Sequence, residues 1–381
     1  MTILQIHQSG FAAVLATTGG GASAVARLLE VPGASRSVLE ALVPYSNAAL
    51  EDLLRAKPEQ FCSQRTARAM AMVAFERARR WASSSSDPLD VSRLVGVACT
   101  ASLASDRPKR GAHRAHVALQ TDRLTRTYEL QLASGLRSRR DEEQLVGELI
   151  LQAFAGLVGV AHSLSLDGLQ PDESCRESTV AASDDWRALL LGKKQRVLFG
   201  QRPTSGSSTR RNAIFPGAFN PLHEGHQRMA AWVEQRYDAS VFFELSIENV
   251  DKPLLDFAEL AARGANFGDP SRLWLTRAPT FLEKARLFPQ SLFVVGADTV
   301  ERIANPKYYG GSEEACRAAI AEIGQRGCRF VVFGRQSAAG FQTLQTLVLP
   351  ERLRDLCDYV PESEFRADVS STEIRRRAAA T

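Results

Sequence analysis

The chain has 381 residues, 44% of them hydrophobic and 24% charged, and a net charge of +4 from 47 Lys and Arg against 43 Asp and Glu. That length exceeds one ordinary core and sets two domains as the expectation. The near-balance of charge gives no ground for nucleic-acid binding, and no apolar run reaches the roughly 18–20 residues that cross a bilayer. Six cysteines (Cys62, Cys99, Cys175, Cys316, Cys328, Cys357) include no CxxC pair, which fits free thiols better than a disulfide framework or a zinc site. The N-terminus has no charged region ahead of an apolar stretch, so no signal peptide is expected and the expected location is cytoplasmic.

In chain order, the apolar stretch FAAVLA (11–16) leads into TTGGGAS and the helical pattern AVARLLEV. Further helices are expected near 48–56 and 65–82, strands over 94–100, 115–119 and 126–133, and a helix over 141–162 that opens acidic, as helix N-termini do. His113 and His116, three apart on the second of these strands, point to opposite faces and are not a metal pair. Residues 166–208 are polar and turn-rich and read as a linker region, with WRALLLGKKQRVLF inside it able to form a helix and a strand. From 209 onward, apolar strands (NAIF, SVFFEL, 272–275, SLFVVGAD, CRFVVFG) alternate with helices (223–237, 280–287, 313–323), and SSTEIRRRAA closes the chain as a helix. That alternation predicts an α/β domain with a parallel sheet covered on both faces.

FPGAFNPLHEGH, Phe215 to His226, joins a strand to a helix, at the carboxyl end of a strand where open α/β sheets bind ligands. Gly217 allows close backbone approach and Pro221 stiffens the loop. His223 and His226 share one face of the first helical turn, where unpaired N–H groups make an anion site, and Gly225 leaves room between them. The spacing points to a site for phosphate. No third His or carboxylate recurs at ligand spacing, so no protein-held metal is expected.

FPGAFNPLHEGH resembles the GxFxPxHxGH signature of the HxGH nucleotidyltransferases, and SSTEIRRR (370–377) resembles their ISSTxIR motif. FVVGADT (293–299), ENVDKP (248–253) and LTRAPTFLEKA (275–285) fall in the order of the nicotinamide or nicotinate mononucleotide adenylyltransferases. The resemblance implies a Rossmann-like domain over 209–381 that transfers an adenylyl group from ATP to the phosphate of a mononucleotide, releasing pyrophosphate without a covalent enzyme intermediate. It implies His223, His226 and Arg375 as the catalytic groups, and Gly217, Ala218, Phe219, Gly225, Gly296, Asp298, Ser371 and Thr372 as the nucleotide-binding set. Mg²⁺ would enter on ATP. Lys252 is a contact to the acceptor's phosphate or a solvated surface lysine, and Trp274 stacks on a pyridine ring or lies in the core. Cytidylyl or adenylyl transfer to another phosphorylated acceptor, and a nucleotide sensor without turnover, are the alternatives.

Residues 1–165 resemble the CinA C-terminal domain family, which includes nicotinamide mononucleotide deamidases, through TTGGGASAVARLLEVPGAS (17–35), VPYSN (43–47) and GVACTASLASDRPKRGAHRAHVAL (96–119). Ungapped alignment puts the family's nucleophilic serine at Thr18 and its glutamate at Thr17, and a small shift puts the nucleophile on Thr17 or Ala16 instead; Tyr45 is retained and the family lysine is Leu50. The TTGGG turn either cradles a phosphate with its N–H groups or is a tight turn without ligand. The expectation is a domain that binds a mononucleotide without efficient deamidation. The partner is thus a small molecule, with neither nucleic acid nor membrane, and a homo-oligomer is left open.

Overall fold

The computed structural model describes residues 2–84, 88–106, 111–160, 169–200, 211–337, 340–366, 371, 374 and 375. The chain forms two compact units, Met1–Arg187 with Asp251–Glu259, and Ala188–Val250 with Leu260–Thr381.

The first unit contains α1 (Thr2–Gln8), β1 (Ala12–Thr18), α2 (Ala22–Glu30), β2 (Val38–Leu42), α3 (Asn47–Leu54), α4 (Gln64–Ser83), β3 (Leu94–Ser102), β4 (His113–Gln120), β5 (Leu124–Leu132), α5 (Arg139–Leu157) and β6 (Ser174–Ala181). Its sheet runs β2-β1-β3-β4-β5-β6, parallel across β2-β1-β3 and antiparallel beyond. All seven residues of β1 are buried, because helices cover both faces. Ile6, Ala24, Leu28 and the α5 residues Val146, Leu149 and Ile150 pack on the face of Ala13, Leu15 and Val97. Leu50, Leu54, Ala67, Met70 and Ala71 pack on the face of Ala16, Ala98 and Ala118. Serines start the helices: Ser46 and Ser63 accept the N–H groups of Ala49 and Thr66, and Ser138 forms a capping box with Asp141. His113 turns to α5 and bonds Glu142 at 2.6 Å, while His116, one face over with Ala118, lies on the α4 side, as their spacing requires.

The second unit contains β7 (Arg196–Leu198), β8 (Arg211–Pro216), α7 (Glu224–Tyr237), β9 (Ala239–Ser246), β10 (Leu273–Thr276), α9 (Phe281–Leu287), β11 (Leu292–Gly296), α10 (Ala297–Ile303), α11 (Glu313–Gln325), β12 (Arg329–Phe333), the hairpin β13 (Arg335–Ser337) and β14 (Gly340–Gln342), α12 (Glu351–Arg354) and β15 (Cys357–Tyr359). Helix α6 (Asp184–Leu190) and helix α8 (Phe257–Gly264) each span a boundary between the units. The sheet order is β15-β12-β11-β8-β9-β10-β7, parallel except for the antiparallel edge strand β7. The chain builds outward from β8 through β9 and β10, then returns to the other side of β8 with β11. The strand order therefore reverses between β8 and β11, the place where such sheets open a crevice at their carboxyl ends. One face packs Ile214, Phe293, Val295, Phe330 and Val332 against Ala285, Val300, Ile320 and Leu353; α7 covers the other, where Trp232 meets Phe333 edge-on.

The structure corrects several expectations. The polar stretch read as linker carries, besides the helix and strand expected in WRALLLGKKQRVLF (α6 and β7), the strand β6 among its described residues. β6 is an edge strand with five of its eight residues exposed, so its backbone pairs with β5 while its side chains show no apolar period. The strand expected over 291–298 ends at Gly296, which caps α10. The helix expected to begin at His223 begins at Glu224, with His223 as its N-cap. Residues 161–168 and 201–210, parts of the α5 and linker readings, lie outside the described residues.

Asp251–Glu259 lies between β9 and β10 in sequence but belongs to the first unit. There Arg68 of α4 meets Asp256 at 3.4 Å and Glu259 at 2.9 Å, Arg65 meets Glu259 at 3.2 Å, and the Phe257 N–H donates to Thr125 Oγ1 at 3.1 Å. Burial pushes the Asp256 carboxyl up, and Arg68 opposes that shift. Arg68 is 12% exposed, so Arg68→Ala leaves the buried Asp256 without its cation and Glu259 with Arg65 alone. The expected loss is about 3–5 kcal/mol in urea unfolding of the full chain. Arg317→Ala, which breaks a pair exposed at 67% and 79%, is expected to change stability by less than about 1 kcal/mol. Equal losses would remove the ion cluster from the stability of the first unit.

Candidate active site at the strand-order reversal

In the second unit the loop from Phe215 to His226 leaves β8 at the reversal and enters α7. Its backbone is tied down from three sides. The Gly217 N–H donates to Glu244 O at 3.0 Å, Arg263 Nη1 donates to Ala218 O at 2.9 Å, and Ser371 Oγ donates to Pro221 O at 3.1 Å. Arg375 adds a bond from Nη1 to Asn220 O. Phe219, at φ +43°, turns inward and packs edge-on against Phe215, Phe243 and Phe267. A Cβ on Gly217 would stand 2.6 Å from that ring, so only glycine fits beside it. The Asn220–Pro221 peptide is cis.

The two histidines then stack, ring centroids 3.7 Å apart and planes within 24°. The His223 N–H donates to His226 Nδ1 at 3.3 Å, which leaves the proton of a neutral His226 on Nε2. His226 also lies edge-on to Phe215 and Phe219, at 5.8 and 5.2 Å. Burial, then the neighbouring His223 and Arg335, push His226 down to about 3. Burial and Arg335 lower His223 as well, and its Nδ1 is buried without a partner. The pair is neutral at physiological pH and presents ring N–H groups, not charges.

At the carboxyl end of β11, Gly296 caps α10 and Asp298 follows in its first turn. Asp298 Oδ2 accepts a bond from Arg335 Nη1 at 3.0 Å; its Oδ1 is buried without a partner and lies 2.8 Å from where a Gly296 Cβ would be. Arg335, two residues beyond β12, is the group sequence reasoning missed. Its signal is a Gly-Arg pair directly after the apolar run FVVF, at the same sheet edge as Asp298. Arg263, buried to 8% exposure under the loop, was missed too, and inside a helical pattern it carries no sequence signal.

The sequence-predicted set is thus gathered in part. Gly217, Ala218, Phe219, His223, Gly225, His226, Ser371 and Arg375 form the loop and its supports, and Gly296 and Asp298 stand at the neighbouring strand end. Gly225 is buried in the first turn of α7. Thr372 lies outside the described residues. Trp274 is not with the histidines. It packs on Phe288 and joins the core cluster of Ile214, on the sheet face opposite Phe215, with the Arg196 guanidinium over its ring at 5.2 Å. Lys252 is exposed, on the segment that belongs to the first unit. Among the described residues no three His, Cys, Asp or Glu side chains converge as a metal site, and no helix is long and apolar enough to cross a membrane.

In the first unit, Thr17 and Thr18 end β1. The Thr17 hydroxyl is buried without a partner. Thr18 Oγ1 donates to Pro44 O at 2.9 Å, Leu50 is buried, and Tyr45 is 69% exposed. Of the turn expected to cradle a phosphate, the Gly21 N–H is already bonded, as is the Ser23 N–H that follows it. Glu143 of α5 accepts from Gly21 N–H at 2.9 and 3.0 Å and from Ser23 N–H at 3.0 Å.

Comparison with known proteins finds no curated protein that matches the chain. Over its N-terminal part the chain is similar to the solved competence/damage inducible protein CihA of Agrobacterium tumefaciens, at 20% identity, covering 42% of this chain and 90% of that one with a TM-score of 0.30. It is also similar to CinA superfamily proteins of Klebsiella pneumoniae (12% identity, 42% and 94% covered, TM-score 0.32) and Escherichia coli (16%, 42% and 85%, TM-score 0.31). Residues 214–377, from the last strand before the loop to the arginines beyond Arg375, match the cytidylyltransferase-like family, and this half of the chain is a nucleotidyltransferase-like domain.

Proposed function

We propose that the second unit transfers the adenylyl group of ATP to the phosphate of nicotinamide or nicotinate mononucleotide. The observation that carries the reading is the stacked, neutral pair His223 and His226 at the open N-terminus of α7, at the strand-order reversal and with Arg335 close enough to lower both. An oxygen of the acceptor phosphate forms a bond to the α-phosphorus, the bond from that phosphorus to the bridging oxygen breaks, and pyrophosphate leaves with the electron pair. The attacking phosphate is already anionic, so no base need remove a proton. What the site must supply is alignment and stabilisation of negative charge.

His226 Nε2–H is placed to donate to a phosphate oxygen, together with the free amides of α7. Arg335 adds a positive charge that Asp298 orients, and Asp298 Oδ1 is an acceptor with no partner of its own, suited to a ribose hydroxyl. Ser371 and Arg375 hold the loop by its carbonyls, and Thr372 is assigned with them. Mg²⁺ carried on the triphosphate supplies further charge neutralisation. For the first unit the reading is no deamidation. Thr18 is tied to a carbonyl, Leu50 stands where a lysine would be needed, and Tyr45 is 69% exposed.

The first test is pyrophosphate release by the full chain from ATP and from CTP across a panel of phosphorylated acceptors. ATP with a pyridine mononucleotide is expected to turn over and give the dinucleotide. Turnover confined to CTP or to another acceptor would replace this reading, and nucleotide binding without any turnover would make the protein a sensor. His223→Ala and His226→Ala are each expected to lower turnover about 10²–10³-fold with the fold intact.

The charge state is tested separately. The folded value of His226, about 3, lies below the unfolded value of about 6.5. Its contribution to stability is therefore full above about pH 6.5 and is lost as pH falls toward 3. Nitrogen-detected NMR is expected to show His226 neutral with its proton on Nε2 from pH 8 to pH 5. A protonated ring at pH 6 would overturn the donor role. The third test is ammonia release from nicotinamide mononucleotide by the full chain, expected to be absent. Steady release that Thr18→Ala abolishes would make the protein bifunctional.

A further inference from the structure

The turn Thr17–Ser23 runs from β1 into α2 and has the form of an oxyanion cradle. Gly19 (φ +73°) and Gly21 (φ +92°) adopt left-handed backbone, and the Gly21 and Ser23 amides converge on one carboxylate. A Cβ on Gly19 would lie 2.0 Å from Ala101 O, so the turn is pressed against the end of β3 and cannot relax outward. We propose that this cradle is an oxyanion site whose resident ligand is part of the chain, the Glu143 carboxylate, and that the first unit takes no phosphate there while Glu143 is present.

The carboxylate fills the positions that two phosphate oxygens would take. Glu143 Oε1 accepts from both Gly21 N–H and Ser23 N–H, and Oε2 accepts from Gly21 N–H. Charge-assisted bonds to helix N-terminal amides are among the stronger neutral–ion contacts, and the helix dipole adds to them. The rest of α5 is fastened at the same place. Ser23 Oγ donates to Glu143 O at 3.0 Å, and Arg139, one turn earlier, donates Nη2 to Gly19 O at 2.9 Å while standing 3.9 Å from Glu143 Oε2. A tethered ligand already in register competes at high effective concentration with any anion in solution. A phosphate entering beside it would also meet a like charge.

A second observation points the same way. The Thr17 hydroxyl is 1% exposed and has no hydrogen-bond partner. Thr17 pairs in register with Cys99, whose Sγ lies 3.5 Å from where a Gly21 Cβ would stand, so the orphaned hydroxyl belongs to the same face as the cradle. A buried hydroxyl without a partner is costly to keep. Here it lies on the face of a turn whose Gly21 and Ser23 amides Glu143 already holds, and Glu143 makes no bond to it.

The inference rests on no part of the transfer reading, and the two can fail independently. The test uses the full chain labelled with ¹⁵N-glycine and ¹⁵N-serine, titrated with inorganic phosphate while the Gly21 and Ser23 amide resonances are followed. In the wild type these resonances are expected to stay in place. In Glu143→Ala they are expected to shift saturably, with an apparent affinity at least tenfold tighter than the wild type. Glu143→Gln, which keeps an acceptor oxygen but no charge, is expected to fall between them and serves if the alanine variant does not fold. A wild-type far-UV circular dichroism spectrum and unfolding midpoint in either variant report an intact fold. Saturable shifts in the wild type, or unmoved resonances in a folded variant, would overturn the proposal.

Discussion

An α-helix begins with amides that its own ladder cannot satisfy, and something must bond them. Both units of this chain drive a strand straight into such a helix end at the carboxyl edge of a sheet, so both inherit the same demand. In the first unit, α5 crosses close enough for Glu143 to answer it from within. In the second, Arg263, Ser371 and Arg375 hold the loop by its carbonyls and the Gly217 N–H ties it to β9, while two imidazoles stand at the start of α7. The same local chemistry gives a sealed turn in one unit and an open site in the other, and the difference lies in which neighbour supplies the partner.

At the loop, burial and Arg335 hold both histidines below the ordinary imidazole range. Aromatic rings on one side and Arg335 on the other make a protonated imidazole unfavourable, so the site offers neutral donors inside a field set by arginine. Positive charge is thereby carried by a group that does not titrate, and direction is carried by groups that do not compete for protons. Asp298 matters in both respects. It fixes Arg335 by one oxygen and leaves the other available.

Much of the second unit was legible in the sequence because its central strands, β11 and β12 above all, are buried along nearly their whole length and read as apolar runs between helical patterns. The loop was legible for a different reason: Gly217, Pro221, Gly225 and two histidines are residue types that a plain turn does not need. Arg335 was not legible, since one arginine after a strand looks like any solvated cation until the strand order brings it beside Asp298. Strand β6 was hidden because an exposed edge strand is specified by backbone pairing and not by apolar alternation. Glu143 was hidden most completely. It reads as an ordinary acidic residue in the first turn of a helix, and its partners, Gly21 and Ser23, lie about 120 positions earlier in the chain.

The first unit is discontinuous, closing around nine residues borrowed from the middle of the other half's sequence, Asp251–Glu259. Two halves joined at a linker could be separated, exchanged or inherited one at a time. Here a gene cut anywhere between 166 and 208 would produce a first half lacking Asp256, Phe257 and Glu259, with Arg68 left as a nearly buried cation. The second half would in turn carry a segment shaped for a partner it no longer has. The two units are therefore bound together in heredity more tightly than their separate resemblances suggest, and change in one half is constrained by what the other must keep.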